Sequence, residues 1–138
     1  MLKLGILGLG EGRSTMSAAL NSSKIELKKI CDLNEEMCKK RAEEFNFHAY
    51  TTRYQELLED QEIDAIAIYT PDKLHATHVK LALEHGKHVV CTKPFIDDLK
   101  DANTLLSLAK TSGKKVFVGQ SSRFFEPMKR QRADFEKG

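Results

Sequence analysis

Short apolar runs alternate with stretches of helical periodicity along the whole chain. Six runs have the length and composition of buried strands, and they cover residues 2–8, 26–32, 48–50, 64–70, 87–92 and 114–119, of which 48–50 is the weakest. Strands that alternate with helices are typical of a parallel sheet with helices on both faces. The pattern therefore predicts an α/β fold with a doubly wound parallel sheet of about six strands.

Helical segments with one apolar face fill the gaps between these runs. Residues 34–45 open with Asn34 as an N-cap, and residues 73–86 end at a glycine that can adopt a left-handed conformation. Residues 97–113 end in the same way. The apolar face of this last helix is expected to contain Leu99, Ala102, Leu105, Leu106 and Ala109. Residues 125–138 also have a helical pattern, but with few apolar positions to bury.

Composition narrows the class of protein. The 138 residues are 41% hydrophobic and 30% charged, with a net charge of +2, which is typical of one globular domain. Because basic and acidic residues are interspersed, we expect neither nucleic acid nor a membrane as a partner. No apolar run is long enough to span a membrane and no secretory signal opens the chain, so the cytoplasm is the expected location.

Cysteine spacing gives no sign of a disulfide or a metal centre. Cys31, Cys38 and Cys91 are odd in number and form no C-x-x-C pair. We therefore expect free thiols and no bound metal.

The stretch "GLGEGRS", residues 8–14, follows the first strand and opens a helix. Gly8 and Gly10 suit a tight turn that lets a pyrophosphate approach free N–H groups at the helix N-terminus. The fingerprint of such loops has a third glycine at the position of Arg13, whereas here Gly12 comes one place early. Arg13 is either a surface arginine or a clamp for the phosphate. The remaining candidates for cofactor contact in this loop are Glu11 and Ser14.

An acidic residue strengthens the prediction of a dinucleotide site. Asp32 follows Gly10 by 22 residues and ends the second strand, where a carboxylate can accept both hydroxyls of the adenosine ribose. The next residue, Leu33, is not basic, so NAD is favoured over NADP, whose 2′-phosphate would meet this carboxylate. The alternative is a tight turn followed by a capping aspartate.

Two further stretches carry a family resemblance. "AIYTPDKLHATHVKLALEHGKHVVCTKPF" and "VGQSSRF", together with "GILGLG" and "ICD", resemble the Gfo/Idh/MocA family of glucose-fructose oxidoreductase and inositol 2-dehydrogenase. The resemblance covers essentially the whole chain. Its most specific part is T-P-x-x-x-H, then A-L-x-x-G-K-H-V, then K-P.

The resemblance implies which residues contact the cofactor. Thr70 and Pro71 would lie against it at the end of the fourth strand, with Leu74 and His75 at its rim. The residues expected near its nicotinamide end are Lys93, Pro94, Gln120 and Arg123. The glutamate of the family's E-K-P motif is Thr92 here, which replaces a charged carboxylate with a neutral hydroxyl.

Lys93 is the expected catalytic residue. An ammonium at the carboxyl edge of a parallel sheet, beside a bound cofactor, can orient a substrate hydroxyl and stabilise developing alkoxide charge. The alternative is a lysine that ends a strand in solvent.

The resemblance also implies a domain plan and a function. Residues 1–121 would form an NAD(P)-binding Rossmann domain, and residues 122–138 would begin the connection toward a C-terminal substrate domain that is absent from this chain. The parent enzyme would be a homo-oligomer that oxidises the CH–OH group of a sugar or an inositol-like polyol, and this chain alone would bind NAD without turnover. The alternative function is a non-catalytic nucleotide-binding, regulatory or interaction module.

Overall fold

A single parallel sheet with flanking helices makes up the protein, whose computed structural model describes residues 1–138. The strands are β1 Leu2–Leu7, β2 Ile25–Cys31, β3 Tyr50–Thr51, β4 Ala65–Ile68, β5 His88–Thr92 and β6 Val116–Gly119. Their order in the sheet is β3-β2-β1-β4-β5-β6, and every neighbouring pair is parallel. The predicted doubly wound α/β fold is therefore confirmed.

Six α-helices connect and flank the strands. They are α1 Arg13–Leu20, α2 Glu35–Phe45, α3 Gln55–Glu59, α4 His75–Glu84, α5 Leu99–Ser112 and α6 Glu126–Lys137. Short 3-10 turns at Asp72–Leu74 and Ser121–Phe124 precede α4 and α6. The cap predicted for α2 is present, since Oδ1 of Asn34 accepts hydrogen bonds from the backbone N–H groups of Glu36 and Met37.

Two apolar cores lie on opposite faces of the sheet. Along β4, Ala65 and Ala67 belong to one core, while Ile66 and Ile68 belong to the other. This alternation is the period of two expected of a strand that is buried on both faces. Helices α1 and α2 complete the first core, and α3, α4 and α5 complete the second.

The strand order reverses between β1 and β4. From β1 the chain builds outward through β2 to β3, then returns to β4 on the other side of β1. The loops that leave β1 and β4 therefore diverge, which opens a crevice at the carboxyl ends of these strands. This crevice is where the fold places a ligand.

The elements differ from the sequence prediction in three places. Strand β3 begins at Tyr50 rather than at residue 48, and the five-residue helix α3 was not predicted. On α5, Leu105 is buried as expected, but Leu99 and Leu106 are 83% and 56% exposed. The reason is that α5 packs on α4, which leaves Leu99 uncovered, while Leu106 lines an apolar groove open to solvent beside β6.

Candidate functional site

Two adjoining cavities form a continuous groove at the carboxyl ends of β1, β2, β4 and β5. Each has a volume of about 320 Å³. The residues that line both are Gly10, Tyr69, Thr70 and Pro71. The first cavity is further lined by Leu7, Gly8, Asp32, Leu33, Tyr54, Leu74 and His78. The second is further lined by Glu11, Asp72, Thr92 and Lys93.

The loop from β1 to α1 approaches the end of β4 so closely that a side chain would not fit. Gly8 has a φ of +88°, and a Cβ on it would lie 2.6 Å from the carbonyl oxygen of Tyr69. Gly10 is different, because a Cβ there would have no atom within 4 Å. Its open side is the groove, which both cavities share. The two glycines thus serve separate purposes. Gly8 allows two backbone segments to approach closely, and Gly10 leaves the side of the groove free for a ligand.

Gly12 takes the packing position that the fingerprint assigns to a third glycine. A Cβ on Gly12 would collide with the carbonyl oxygen of Gly8 and lie 3.0 Å from Cγ2 of Ile6. Gly12 is buried, whereas Arg13 is exposed. The loop is therefore one residue shorter than G-x-G-x-x-G, and position 13 has no need of a glycine.

Four consecutive backbone donors of this loop have no partner within the chain. The N–H of Gly8 donates to the carbonyl of Cys31 at 2.8 Å, and that of Leu9 donates to Oδ2 of Asp32 at 2.8 Å. The next four N–H groups, those of residues 10–13, make no hydrogen bond within the chain. They precede or begin α1, so the positive end of the helix dipole adds to their attraction for an anion.

Asp32 directly follows β2 and lines the first cavity. Its Oδ2 accepts from Leu9 and its Oδ1 accepts from the backbone N–H of Asn34 at 3.0 Å. Each carboxylate oxygen has two lone pairs, so both oxygens can accept a further hydrogen bond from a ligand in the first cavity. Leu33 is 82% exposed beside it.

Arg13 turns away from the groove. Its Nε donates to Oε1 of Glu44 at 2.6 Å, and its guanidinium carbon lies 5.7 Å from the centre of the Phe45 ring. Both partners belong to the last turn of α2, so the surface alternative describes this side chain as the structure has it. Ser14 is likewise local, because its hydroxyl donates to the carbonyl of Glu11 at 3.1 Å.

His75 lies beneath the groove rather than at its rim. The ring is fully buried, with Nδ1 2.7 Å from the carbonyl oxygen of Pro94 and Nε2 2.7 Å from that of Thr70. It begins α4, and its two ring nitrogens contact the segments that follow β4 and β5. The imidazole therefore ties the T-P segment to the K-P segment and supports the groove from below.

Lys93 follows β5 in the second cavity. It is exposed and makes no hydrogen bond or ion pair within the chain, so its ammonium is available to a ligand. Thr92, the residue before it, lines the same cavity. Gln120 and Arg123 line neither cavity, and Arg123 instead lies 5.5 Å from the centre of the Phe124 ring.

Three aromatic residues of the groove were not predicted from the sequence. The hydroxyl of Tyr69 hydrogen-bonds that of Thr15 on α1, which holds Tyr69 against the glycine loop. Nδ1 of His78 lies 2.9 Å from Oγ1 of Thr70, and the hydroxyl of Tyr54 donates to the carbonyl of His78 at 2.9 Å. Burial lowers the pKa of His78, with a smaller contribution from His75, and burial raises the pKa of Tyr54. The one sequence feature that could have indicated such a residue is that Tyr69 directly precedes Thr70, a predicted cofactor contact.

Other kinds of site find little support. No three His, Cys, Asp or Glu side chains are arranged to hold a metal ion. The three cysteines are buried free thiols, and burial raises the pKa of Cys31 and Cys91 to about 12. None of the helices combines the length and the apolar character needed to cross a membrane.

Comparison with known proteins agrees with this geometry. The family model of the Gfo/Idh/MocA oxidoreductases, described as an NAD-binding Rossmann fold, matches residues 2–120. The Bacillus subtilis oxidoreductase YrbE is 30% identical over 135 residues, which cover 97% of this chain and 40% of that protein. The scyllo-inositol 2-dehydrogenase (NADP+) of the same organism is 31% identical over 90 residues, covering 65% of this chain and 27% of that one.

A solved structure gives the same result. The crystal structure of an NAD-binding protein from Listeria innocua superposes with a TM-score of 0.90 at 29% identity, covering 99% of this chain and 40% of that one. The chain thus spans about two fifths of the length of these relatives. It belongs to the Gfo/Idh/MocA oxidoreductase family, as the family's N-terminal NAD-binding Rossmann domain.

Proposed function

We propose that this chain supplies the cofactor domain of an NAD-dependent oxidoreductase that acts on the CH–OH group of a sugar or polyol. Residues 1–121 form this domain in the proposal, and residues 122–138 begin the connection toward a substrate domain. One observation carries the proposal: Gly10 and Glu11, whose backbone N–H groups make no hydrogen bond within the chain, line a groove that also contains the carboxylate of Asp32 and the ammonium of Lys93. The chain alone binds the dinucleotide and shows little or no turnover.

The groove has a place for each part of a nicotinamide dinucleotide. The pyrophosphate meets the N–H groups of residues 10–13, which attract an anion. The adenosine lies in the first cavity, where Asp32 accepts its ribose hydroxyls and Leu33 and Leu74 cover its base. The nicotinamide lies in the second cavity, beside Thr92 and Lys93.

The choice of NAD over NADP rests on the charge around Asp32. A 2′-phosphate would lie against this carboxylate, and the cavity around it has no Lys or Arg to compensate the repulsion. The inositol dehydrogenase relative is named for NADP+, so cofactor preference varies among the relatives of this chain.

Lys93 prepares the substrate for oxidation in this proposal. A bound nicotinamide accepts the hydride from the carbinol carbon. The Lys93 ammonium donates a hydrogen bond to the substrate hydroxyl, which orients the carbinol carbon. It also stabilises the negative charge that develops as the hydroxyl proton passes to a base, which the substrate domain would supply in this proposal. A sugar or polyol is the proposed substrate class because one relative is named an inositol dehydrogenase.

A titration with NADH tests the proposal. We expect the fluorescence of the nicotinamide to rise as the parent chain binds NADH. Asp32→Ala should bind NADH at least about tenfold more weakly, because two charge-assisted hydrogen bonds to the ribose are lost. Asp134→Ala, which removes an exposed carboxylate on α6, is the matched control and should bind like the parent. Absence of NADH binding by the parent chain would refute the proposal.

A further inference from the structure

Arg41 is a buried arginine on a helix whose other basic residues face solvent. It is 8% exposed, whereas its neighbours Lys39 and Lys40 are exposed. Its Nε donates to the carbonyl of Leu9 at 2.9 Å, and its Nη1 donates to Oε2 of Glu44 at 2.7 Å. A buried cation is costly unless it is fully paired, so this placement needs the two acceptors that it finds.

The hydrogen bond from Arg41 is one of two that fix the backbone of Leu9 in the glycine loop. Leu9 donates its N–H to Asp32 and accepts at its carbonyl from Arg41. In a planar trans peptide the carbonyl and the following N–H point in opposite directions. Because the carbonyl of Leu9 points to α2, the N–H of Gly10 points away from α2, and Gly10 itself lines the groove.

A second layer of contacts holds the guanidinium in place. Glu44 accepts from Arg41 at one oxygen and from Arg13 at the other. These hydrogen bonds, that of Arg13 above all, keep the pKa of Glu44 below its ordinary value, so the carboxylate is charged at neutral pH. The series Arg13, Glu44, Arg41, Leu9 thus joins the first residue of α1 to the loop through the last turn of α2.

We infer that Arg41 is a positioning residue for the pyrophosphate: by holding the carbonyl of Leu9 it directs the N–H of Gly10 at the phosphate oxygens. Glu44 fixes the guanidinium, and Arg13 supports Glu44 in place of a direct contact with phosphate. This inference rests on the proposed function, since it describes how the same groove recognises the dinucleotide. It assigns Arg13 and Arg41 to the geometry of the loop, and neither touches the ligand.

The test compares variants of two basic residues on the same helix. Arg41→Met removes the hold on Leu9, while Lys39→Met removes a solvent-exposed cation with its ion pair to Glu35 and leaves the loop untouched. We expect Arg41→Met to bind NADH about tenfold more weakly than the parent, the factor that one lost hydrogen bond of ordinary strength produces. Lys39→Met should bind as the parent does.

An amide signal separates positioning from general stability. In the ¹⁵N NMR spectrum of the parent, the Gly10 N–H should shift downfield when NADH is added, as expected of a donor to phosphate. In Arg41→Met the Gly10 shift should shrink while the shift of Leu33, beside the ribose, persists. A merely structural role would leave the ratio of these two shifts unchanged. Arg41→Lys carries the same comparison if the methionine variant does not fold, since its one ammonium cannot serve both Leu9 and Glu44 with the geometry of a guanidinium.

The outcomes are distinguishable. If the parent fails to bind NADH, the proposed function falls and this inference falls with it. If the parent binds NADH and a folded Arg41 variant binds it equally well with an unchanged Gly10 shift, the inference alone is overturned.

Discussion

Two glycines of the β1–α1 loop differ in what surrounds them, and this difference separates stability from binding. At Gly12 a methyl group would meet the carbonyl of Gly8, whereas at Gly10 it would meet only the open groove. Neither residue has a positive φ, so backbone strain does not enter the comparison. The two positions therefore form a matched pair for substitution by alanine.

We expect Gly12→Ala to lower the free energy of unfolding by about 1–3 kcal/mol, because the added methyl overpacks the junction of β1 and α1. Gly10→Ala should leave the free energy of unfolding unchanged or raise it by up to about 1 kcal/mol, since alanine restricts the unfolded chain. It should nevertheless weaken NADH binding, because the methyl occupies the space of the pyrophosphate. Urea unfolding and NADH titration measure the two effects. Equal losses of stability in both variants would contradict this assignment.

The roles of buried polar side chains could not be predicted from the sequence. Arg41, His75 and Lys87 are all buried, and each bonds to backbone carbonyls far away in the chain. Lys87 donates to the carbonyls of Asp60 at 2.6 Å and Ile63 at 2.8 Å. Such partners exist only after the loops have assembled, so neither composition nor periodicity predicts them.

Helix α4 carries a group that is sensitive to pH, the imidazole of His78, where the helix meets the segments that follow β3 and β4. His78 on α4 contacts Tyr54 after β3 and Thr70 after β4, and His75 lies within the same helix. Because burial lowers its pKa below the ordinary 6.5, the unfolded chain binds the proton more readily than the folded one. The stability that this junction contributes is therefore complete above the ordinary pKa and is lost as the pH falls below it.

We expect the parent chain to lose stability between about pH 7 and about pH 5 more steeply than His78→Gln, which has no proton to gain. Thermal unfolding at a series of pH values measures both slopes. The two proteins differ only at residue 78, so a difference between their slopes reports the contribution of that side chain. A parent and variant with parallel pH profiles would show that the ring of His78 is not desolvated as described.

Helices and strands could be predicted from the sequence where the local pattern of apolar and capping residues was long enough to define them. The caps at Asn34, Gly86 and Gly113 were predicted and are present, with both glycines at positive φ. Helix α3 was missed because five residues show no helical period, and its two buried leucines are adjacent in sequence. Leu99 and Leu106 were assigned to the core because periodicity reports an apolar face without reporting how much of it another element covers.

For the molecule as a whole, the sequence predicted the fold class, a doubly wound parallel sheet, but not the order of its strands. Alternation of strands and helices indicated a parallel sheet, and the resemblance of the motifs indicated the family, which the match over residues 2–120 shows. The groove required the assembled sheet, because it brings together Asp32, Tyr69 and Lys93 from the ends of three strands. More than half of the candidate residues line the groove, and the ones that do not are Gly12, Arg13, Ser14, His75, Pro94, Gln120 and Arg123.

The walls of the groove come from segments that are far apart in the sequence, so folding of the chain is coupled to ligand binding. The walls come together only when β1, β2, β4 and β5 are assembled, so NADH should bind the folded chain and not one in which these strands are apart. Mass action then predicts that NADH at 100 times its dissociation constant stabilises the chain by about 2.7 kcal/mol, seen as a rise in the unfolding temperature. Adenosine, which lacks the pyrophosphate and the nicotinamide, should raise it far less at the same concentration. The bound nucleotide would thereby join the segments on the two sides of the point where the strand order reverses. Without it, the chain should unfold more readily and be more susceptible to proteolysis.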